Sequence, residues 1–356
     1  MFARKLDWWL IGALIFLAAA SLVSIASAEP SLFRAQLIWF AAAGLVIFLT
    51  IKINWRWVTT QNWFIMSLYW LIIVLLIITL FTSRSVRGAH SWLIIGPFRF
   101  QFSELAKVSL ILVFASFFSR RYLEASVLKN IGVSFVYFFI PAALVAVQPS
   151  LGTAIIFFGI WFGFLAVSGL SWQRLLAGFL ILILVLGILW VTFLKPFQKE
   201  RILGFISPAR DPLGSNYHII QSKIAIGSAG FFGKGFRQGT QTQLGFLPAS
   251  QTDFIFSSFV EEWGLFGGLL IIIAFLIIIY RIIKIGIESE GNCVKFICLG
   301  TAITLALQVF FNLGSVLGIS PVVGITLPFL SYGGSSLLTN ALLMGIVENI
   351  AIDSSF

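Results

Sequence analysis

Apolar runs of about twenty residues recur along this chain between short polar joints, and that rhythm identifies its solvent as lipid. A hydrocarbon core of roughly 30 Å takes about 20 helical residues to cross. By that measure the sequence predicts ten membrane-crossing helices, near Trp8–Ala28, Ala35–Ile53, Trp63–Thr82, Glu104–Ser119, Asn130–Val147, Leu151–Ser168, Arg174–Leu194, Trp263–Ile285, Val294–Leu317 and Ser331–Ile352. The expected fold class is an all-α integral membrane protein of about ten transmembrane helices. A large extracytoplasmic loop, 195–262, separates helices seven and eight, and residues 1–356 form a single polytopic domain.

Composition agrees with the pattern. The chain is 59% hydrophobic and 10% charged, against about 45–50% and about 25% in soluble domains, so it cannot cover a water-facing surface. The sequence shows no internal repeat, low-complexity tract or soluble domain. The net charge of +10 reads as a topology signal rather than a nucleic-acid patch. One set of helix ends carries eleven cations, Arg4, Lys5, Lys52, Arg56, Arg120, Arg121, Lys129, Arg174, Arg281, Lys284 and Lys295. The opposite short loops carry four, Arg34, Arg84, Arg87 and Arg99. The positive-inside rule then places both termini in the cytoplasm and the long loop outside.

The first apolar run has a rival reading. Arg4 and Lys5 followed by Ala26-Ser27-Ala28 resemble a cleavable signal peptide, but the run is longer than the usual h-region and starts with an interfacial Trp8-Trp9 pair, which favours a retained helix. Cys293 and Cys298 are spaced for packing, and neither His90 nor His218 has a partner at a metal-ligand spacing. No metal site or cofactor is identified from the sequence.

In a lipid-embedded chain, polar residues that persist near helix depth are the functional signal, because each is costly unless paired or wetted. Three places qualify. Ser91–Lys107 is an outer loop entering the fourth helix, in which Ser103 is an expected N-cap and Glu104 and Lys107, at i and i+3, share a face. A self-neutralising interfacial pair is the plain alternative there. The turn Val147–Thr153 ends one helix at Pro149 and offers Ser150 as cap to the next. The long loop contains a basic piece around Arg201–Pro212, a short helix expected over Tyr217–Gly230 and a Gly-rich turn from Gly233 to Gly239. It ends on a polar stretch holding Asp253, Glu261 and Glu262. Asp253 stands between Thr252 and the apolar Phe254-Ile255-Phe256, where partial burial would tune a carboxylate toward a general base.

The residues Gly96–Gln101 with Ser103–Lys107, Gln148-Pro149 with Leu151–Ala154, the long loop, and Pro321–Ser336 occur in that order over nearly the whole chain. In this the chain resembles the SEDS family (shape, elongation, division and sporulation) of bacterial cell-wall polymerases. The stretches Tyr217–Lys223, Gly233–Gly235 and Gly239–Pro248 resemble its elongation branch more than its division branch.

The resemblance implies a peptidoglycan glycosyltransferase that polymerises lipid II at the outer face of the bacterial inner membrane, during elongation and rod-shape maintenance. It implies Asp253 as the catalytic acid and functional roles for Glu104 and Lys107. The cations Lys107, Arg201, Lys223 and Arg237 are the candidates for binding the pyrophosphate of the substrate. A divalent cation bridging that pyrophosphate is left open, and a class B penicillin-binding protein is the implied partner. Three departures from the family pattern stand out: Ser150 where relatives carry Asp, Phe102 where Pro is common, and Gln251 where His is common. A Gln hydrogen-bonds but does not titrate near neutrality. The competing classes are a lipid II flippase or other transporter, which ten helices with intramembrane Glu104 and Lys107 would also suit, and a non-catalytic membrane scaffold.

Overall fold

The structure is a computed structural model that describes residues 6–82, 91–95, 98–121, 127–174, 176–178, 180, 187, 199–200, 203–205 and 216–354. In chain order its elements are α1 (Trp8–Ala28), α2 (Pro30–Ile51), α3 (Trp55–Thr60), α4 (Asn62–Thr82), β1 (Leu93–Ile95), β2 (Phe98–Phe100), α5 (Phe102–Arg120), α6 (Leu128–Val147) and α7 (Leu151–Val167). After the partly described segment come α8 (Tyr217–Ser228), α9 (Thr240–Gln243), α10 (Ile255–Glu288), α11 (Asn292–Leu317) and α12 (Gly334–Ser354). Eight of the described helices are long and apolar enough to cross a membrane, and α7 is a shorter apolar one. The expected helix over Arg174–Leu194 lies mostly outside the described residues.

The helices begin where local chemistry frees them to. Asp7 caps α1 by accepting from the Leu10 N–H at 3.1 Å, Asn54 caps α3 through Trp57 at 3.1 Å, and α2 starts on Pro30, whose missing N–H costs nothing in a first turn. Inside lipid every other backbone group must be paired within its own helix, so apolar composition and helix formation go together.

The bundle has a buried centre and a lipid-facing rim. The most apolar window of α5 is 83% buried and that of α12 is 78%, whereas α2 reaches 11% and α6 28%. Helix α5 packs against α4, α6, α7, α11 and α12. Its Phe114 and Phe118 meet Phe164 of α7 with ring centroids 5.6 and 5.9 Å apart, and Phe164 stacks on Phe296 of α11 at 5.7 Å. Close approach here requires Gly300, since a Cβ at that position would stand 2.8 Å from the Phe164 ring and 2.9 Å from Ile111.

Two differences from the sequence expectation shape the site. The outer segment before α5 holds a small antiparallel hairpin, pairing Leu93 with Phe100. The eighth apolar helix starts at Ile255 rather than near Trp263, so Glu261 and Glu262 are helical. This longer helix breaks at Gly264, with φ 75° and ψ 179°. There the segment 230–235 is laced into the helix ladder. The Lys234 and Gly235 N–H groups donate to the Glu261 and Glu262 carbonyls at 3.0 Å each, while Leu265 and Phe266 donate to the carbonyls of Gly230 and Phe231 at 3.1 and 3.0 Å. A Cβ on Gly264 would lie 2.2 Å from the Phe231 carbonyl oxygen. Only glycine permits both that φ and that approach.

Candidate functional site

Asp253 lies in the turn that leads into α10. Ala249 opens this turn at φ 51°, and its carbonyl accepts from the Thr252 and Phe254 N–H groups at 3.0 and 3.3 Å. The three successive carbonyls from Gln251 to Asp253 are each met by a donor from the C-terminal part of the chain. The Tyr332 N–H donates to the Gln251 carbonyl at 2.8 Å, the Ser331 hydroxyl to that of Thr252 at 2.7 Å, and Asn312 Nδ2 to that of Asp253 at 3.1 Å. Unpaired carbonyls in a dry environment cost free energy, so these bonds specify one turn geometry. The same donors are held in turn: Ser331 Oγ accepts from the Leu327 N–H at 2.9 Å, and Asn312 Nδ2 also reaches the Ile325 carbonyl at 2.9 Å. Phe254, Ile255 and Phe256 are buried, His218 of α8 stacks on Phe254 at 6.1 Å, and Asp253 itself is half-buried.

The segment 321–336 joins all the other motif blocks. Besides gripping Gln251–Asp253, its Ser335 Oγ accepts from the Gln101 N–H at 3.0 Å, just before α5. Its Val323 carbonyl is so near Gly152 that a Cβ there would stand 2.4 Å away. Stretches that the sequence scatters from Gln101 to Ser336 thus meet at one end of the bundle.

Glu104 and Lys107 form the pair that their spacing predicted, Nζ to Oε2 at 2.7 Å, with side-chain exposures of 10% and 2%. Two expected caps differ. Gln101 occupies the N-cap of α5, and the Ser103 hydroxyl is buried without a hydrogen-bond partner, because the Gln101 N–H is drawn to Ser335 and the helix starts before Ser103. Ser150 occupies the N-cap of α7, but its hydroxyl lies 3.0 Å from that of Thr153 and makes no capping bond to the backbone.

The expected phosphate-binding cations divide. Lys223 runs beside the C-terminus of α11, where a Cβ on Gly318 would meet its Nζ at 2.5 Å, and the neighbouring Ser222 hydroxyl lies 2.7 Å from that of Ser257, one turn beyond Asp253. Arg237 instead donates from Nη2 to the Ala26 carbonyl at 3.1 Å, at the end of α1. Arg201 lies outside the described residues.

Glu261 and Glu262 are structural in this arrangement. Glu261 is fully buried and accepts from Lys234 Nζ at 2.9 Å, from the Gln241 and Thr242 N–H groups at 2.8 and 3.1 Å, and from the Thr242 hydroxyl at 3.0 Å. Glu262 accepts from the Ser27 hydroxyl and, at 3.4 Å, from Gln243 Nε2, tying α9 to the end of α1. Among the described residues no group of three or more His, Cys, Asp or Glu is placed to hold a metal ion.

Sequence reasoning passed over Asn312, although an amide amid the apolar residues of α11 was a usable signal. It also passed over a polar cluster at the far end of α10. There Arg281 meets Asp7 Oδ2 through Nε at 2.7 Å, and the Asp7 N–H donates to Glu348 Oε2 at 3.3 Å.

The family model described as a cell cycle protein, covering FtsW, RodA and SpoVE, matches residues 1–355. The chain belongs to this family. It is the SEDS family that the motif blocks resemble. Peptidoglycan glycosyltransferase MrdB of Escherichia coli K12 is 41% identical over 283 residues, 80% of this chain and 76% of the relative. Stage V sporulation protein E of Bacillus subtilis is 34% identical over 329 residues, 90% of this chain and 87% of the relative. Among solved structures, a chain from work on the structural coordination of polymerization and crosslinking by a peptidoglycan synthase complex superposes with a TM-score of 0.84 at 31% identity, covering 98% of both chains. The rod shape determining protein RodA of Thermus thermophilus gives 0.73 at 26% identity, covering 99% of this chain and 98% of that one.

Proposed function

We propose that this chain is a peptidoglycan glycosyltransferase of the elongation type, polymerising lipid II into glycan strands at the outer face of the bacterial inner membrane. The observation that carries the reading is the Gln251–Asp253 turn, whose three successive carbonyls are fixed by Tyr332, Ser331 and Asn312. It is supported by relatives named peptidoglycan glycosyltransferase that share most of the chain's length.

In the reaction a sugar hydroxyl of the acceptor attacks the anomeric carbon of the donor. The carbon–oxygen bond to undecaprenyl pyrophosphate breaks as the new glycosidic bond forms. One displacement inverts the centre and needs no covalent intermediate, so a single carboxylate suffices. Asp253 takes the hydroxyl proton, late in the step because an alcohol is a weak acid. Positive charge stabilises the leaving pyrophosphate. Lys107 and Lys223 supply it: Lys107 spends one of its three N–H donors on Glu104 and is buried, and Lys223 reaches the C-terminus of α11 at Gly318 while its neighbour Ser222 meets Ser257, one turn beyond Asp253. Arg237 contributes by holding the loop to α1. A class B penicillin-binding protein supplies the cross-linking chemistry, in keeping with the polymerisation and crosslinking complex that the chain resembles.

Purified protein supplied with labelled lipid II in detergent tests the reading. Glycan chains are expected from the parent and not from Asp253→Asn. Movement of lipid II across vesicles without chain growth would favour a transporter, and neither activity would favour a scaffold. Sidedness is read separately with cysteines at the exposed positions Gln238 and Glu288 in a Cys293/Cys298-free variant. An impermeant maleimide on intact spheroplasts should label the first and spare the second, and the reverse pattern would place Asp253 away from translocated lipid II.

A further inference from the structure

The sequence Phe231-Phe232 stands at the tip of the segment that is laced into the break of α10. Both rings are exposed, Phe231 by 58% and Phe232 by 78%. They touch edge to face at 4.9 Å and both lean on Phe266, at 5.9 and 6.5 Å. An exposed cluster of three aromatic rings needs an occupant.

The cations beside it face the other way. Lys234 is drawn to Ser228, Thr240 and Glu261 at 2.7, 2.8 and 2.9 Å, and Arg237 reaches the Ala26 carbonyl. Backbone bonds flank the tip on both sides, from Leu265 and Phe266 to Gly230 and Phe231, and from Lys234 and Gly235 to Glu261 and Glu262. The tip is therefore a rigid apolar projection with its polar groups turned inward.

Its depth follows from α10. Leu265, Phe266, Leu269, Ile273, Leu276, Tyr280 and Ile283 make one continuous exposed stripe down this helix. From Trp263 to Arg281 is roughly 27 Å at about 1.5 Å per residue, close to a hydrocarbon thickness of roughly 30 Å. Trp263 and Phe266 then mark one membrane interface and Tyr280 with Arg281 the other, as aromatic belts do. Rings leaning on Phe266 lie level with that first interface.

We propose that Phe231 and Phe232 form a fixed wedge inserted into the acyl-chain boundary of the leaflet on the loop's side, with lipid as the occupant. The inference rests on the membrane-spanning fold and not on the chemistry assigned to Asp253. The wedge is continuous with the exposed apolar stripe of α10 through the contacts of both rings with Phe266.

Spin labels at Phe232→Cys and, independently, Phe231→Cys in a Cys293/Cys298-free background, reconstituted alone in phosphatidylglycerol and phosphatidylethanolamine liposomes, test this by power saturation. Expected is relaxation by oxygen several-fold stronger than by a water-soluble nickel chelate, matching a label at Leu269 and opposite to one at Gln238. Stronger relaxation by nickel than by oxygen at both tip positions would overturn the wedge. An immobilised label shielded from both reagents would overturn it as well, by showing protein rather than lipid as the cover. Failure of Asp253→Asn to lose activity would leave these readouts unchanged.

Discussion

Asp253 and Glu261 lie within one polar stretch and look alike in the sequence, yet the structure treats them oppositely. Glu261 is fully buried and its side chain is met by Lys234 and by α9, so the carboxylate is consumed in holding the loop together. At Asp253 the protein grips the backbone, through the carbonyls of Gln251, Thr252 and Asp253, and the residue itself is half-buried rather than fully enclosed. A carboxylate used to build structure spends its oxygens on protein donors. One used for chemistry is better aimed by its main chain.

The contrast is broken most directly by exchanging each acid for its amide. Asp253→Asn should lower polymerisation by at least about a hundredfold, the scale of general-base catalysis, with detergent-solubilised melting temperature near that of the parent. Glu261→Gln should do the reverse. It strands Lys234 and weakens the α9 contacts, at a cost of about 3–5 kcal/mol for a broken buried pair, while the folded fraction keeps its specific activity. If Glu261→Gln melts like the parent and Asp253→Asn does not, the roles assigned to the two acids are exchanged.

The lacing beside Glu261 depends on the break at Gly264, where the Glu261 and Glu262 carbonyls accept from the Lys234 and Gly235 N–H groups. Gly264→Ala places a methyl against the Phe231 carbonyl and demands a positive φ. The backbone conformation alone costs roughly 1–3 kcal/mol, and the overlap adds to it, so a sharp fall in purified yield and melting temperature is expected. Normal yield and melting would mean that the lacing is not the stable arrangement.

Asn312 sharpens the comparison from the other side, because it touches Asp253 only through main-chain oxygen. Asn312→Ala should lower the turnover number for lipid II about tenfold, roughly one hydrogen bond's worth of free energy, with the Michaelis constant little changed. Asn312→Gln should recover part of that loss. Equal loss in both variants, tracking a drop in melting temperature, would reduce Asn312 to a packing role.

What was legible in the sequence follows from which forces are local. Hydrophobic run length located nearly every described span, α1 to the residue, because lipid imposes helix on any apolar stretch long enough to cross it. The i, i+3 spacing of Glu104 and Lys107 foretold their bond for the same reason. The beginning of α10 was missed because its first two turns carry Ser257, Ser258, Glu261 and Glu262, which read as loop until tertiary partners neutralise them. The grip on Asp253 depends on Asn312, Ser331 and Tyr332, and the restraint of Arg237 depends on Ala26. Contacts between residues so far apart in the chain leave no periodicity to read.

The smallest expected effect concerns the pair in α5, which stands between the two acids in character: its ions pair with each other, and Lys107 is also proposed to face the substrate. Glu104→Ala and Lys107→Ala each leave one charge in a dry site, so each should lose stability, and the double variant should lose less than the sum. A coupling of about 0.5–3 kcal/mol is the range for contacting groups, and the exposures of 10% and 2% favour its upper half over the few tenths typical of solvent-exposed pairs. Strict additivity in the cycle would show that the two side chains do not pair in the membrane. The activities add a second reading. If the ions matter only to each other, the double variant should regain turnover along with stability, whereas a lysine that also faces pyrophosphate predicts a stable but slow double variant.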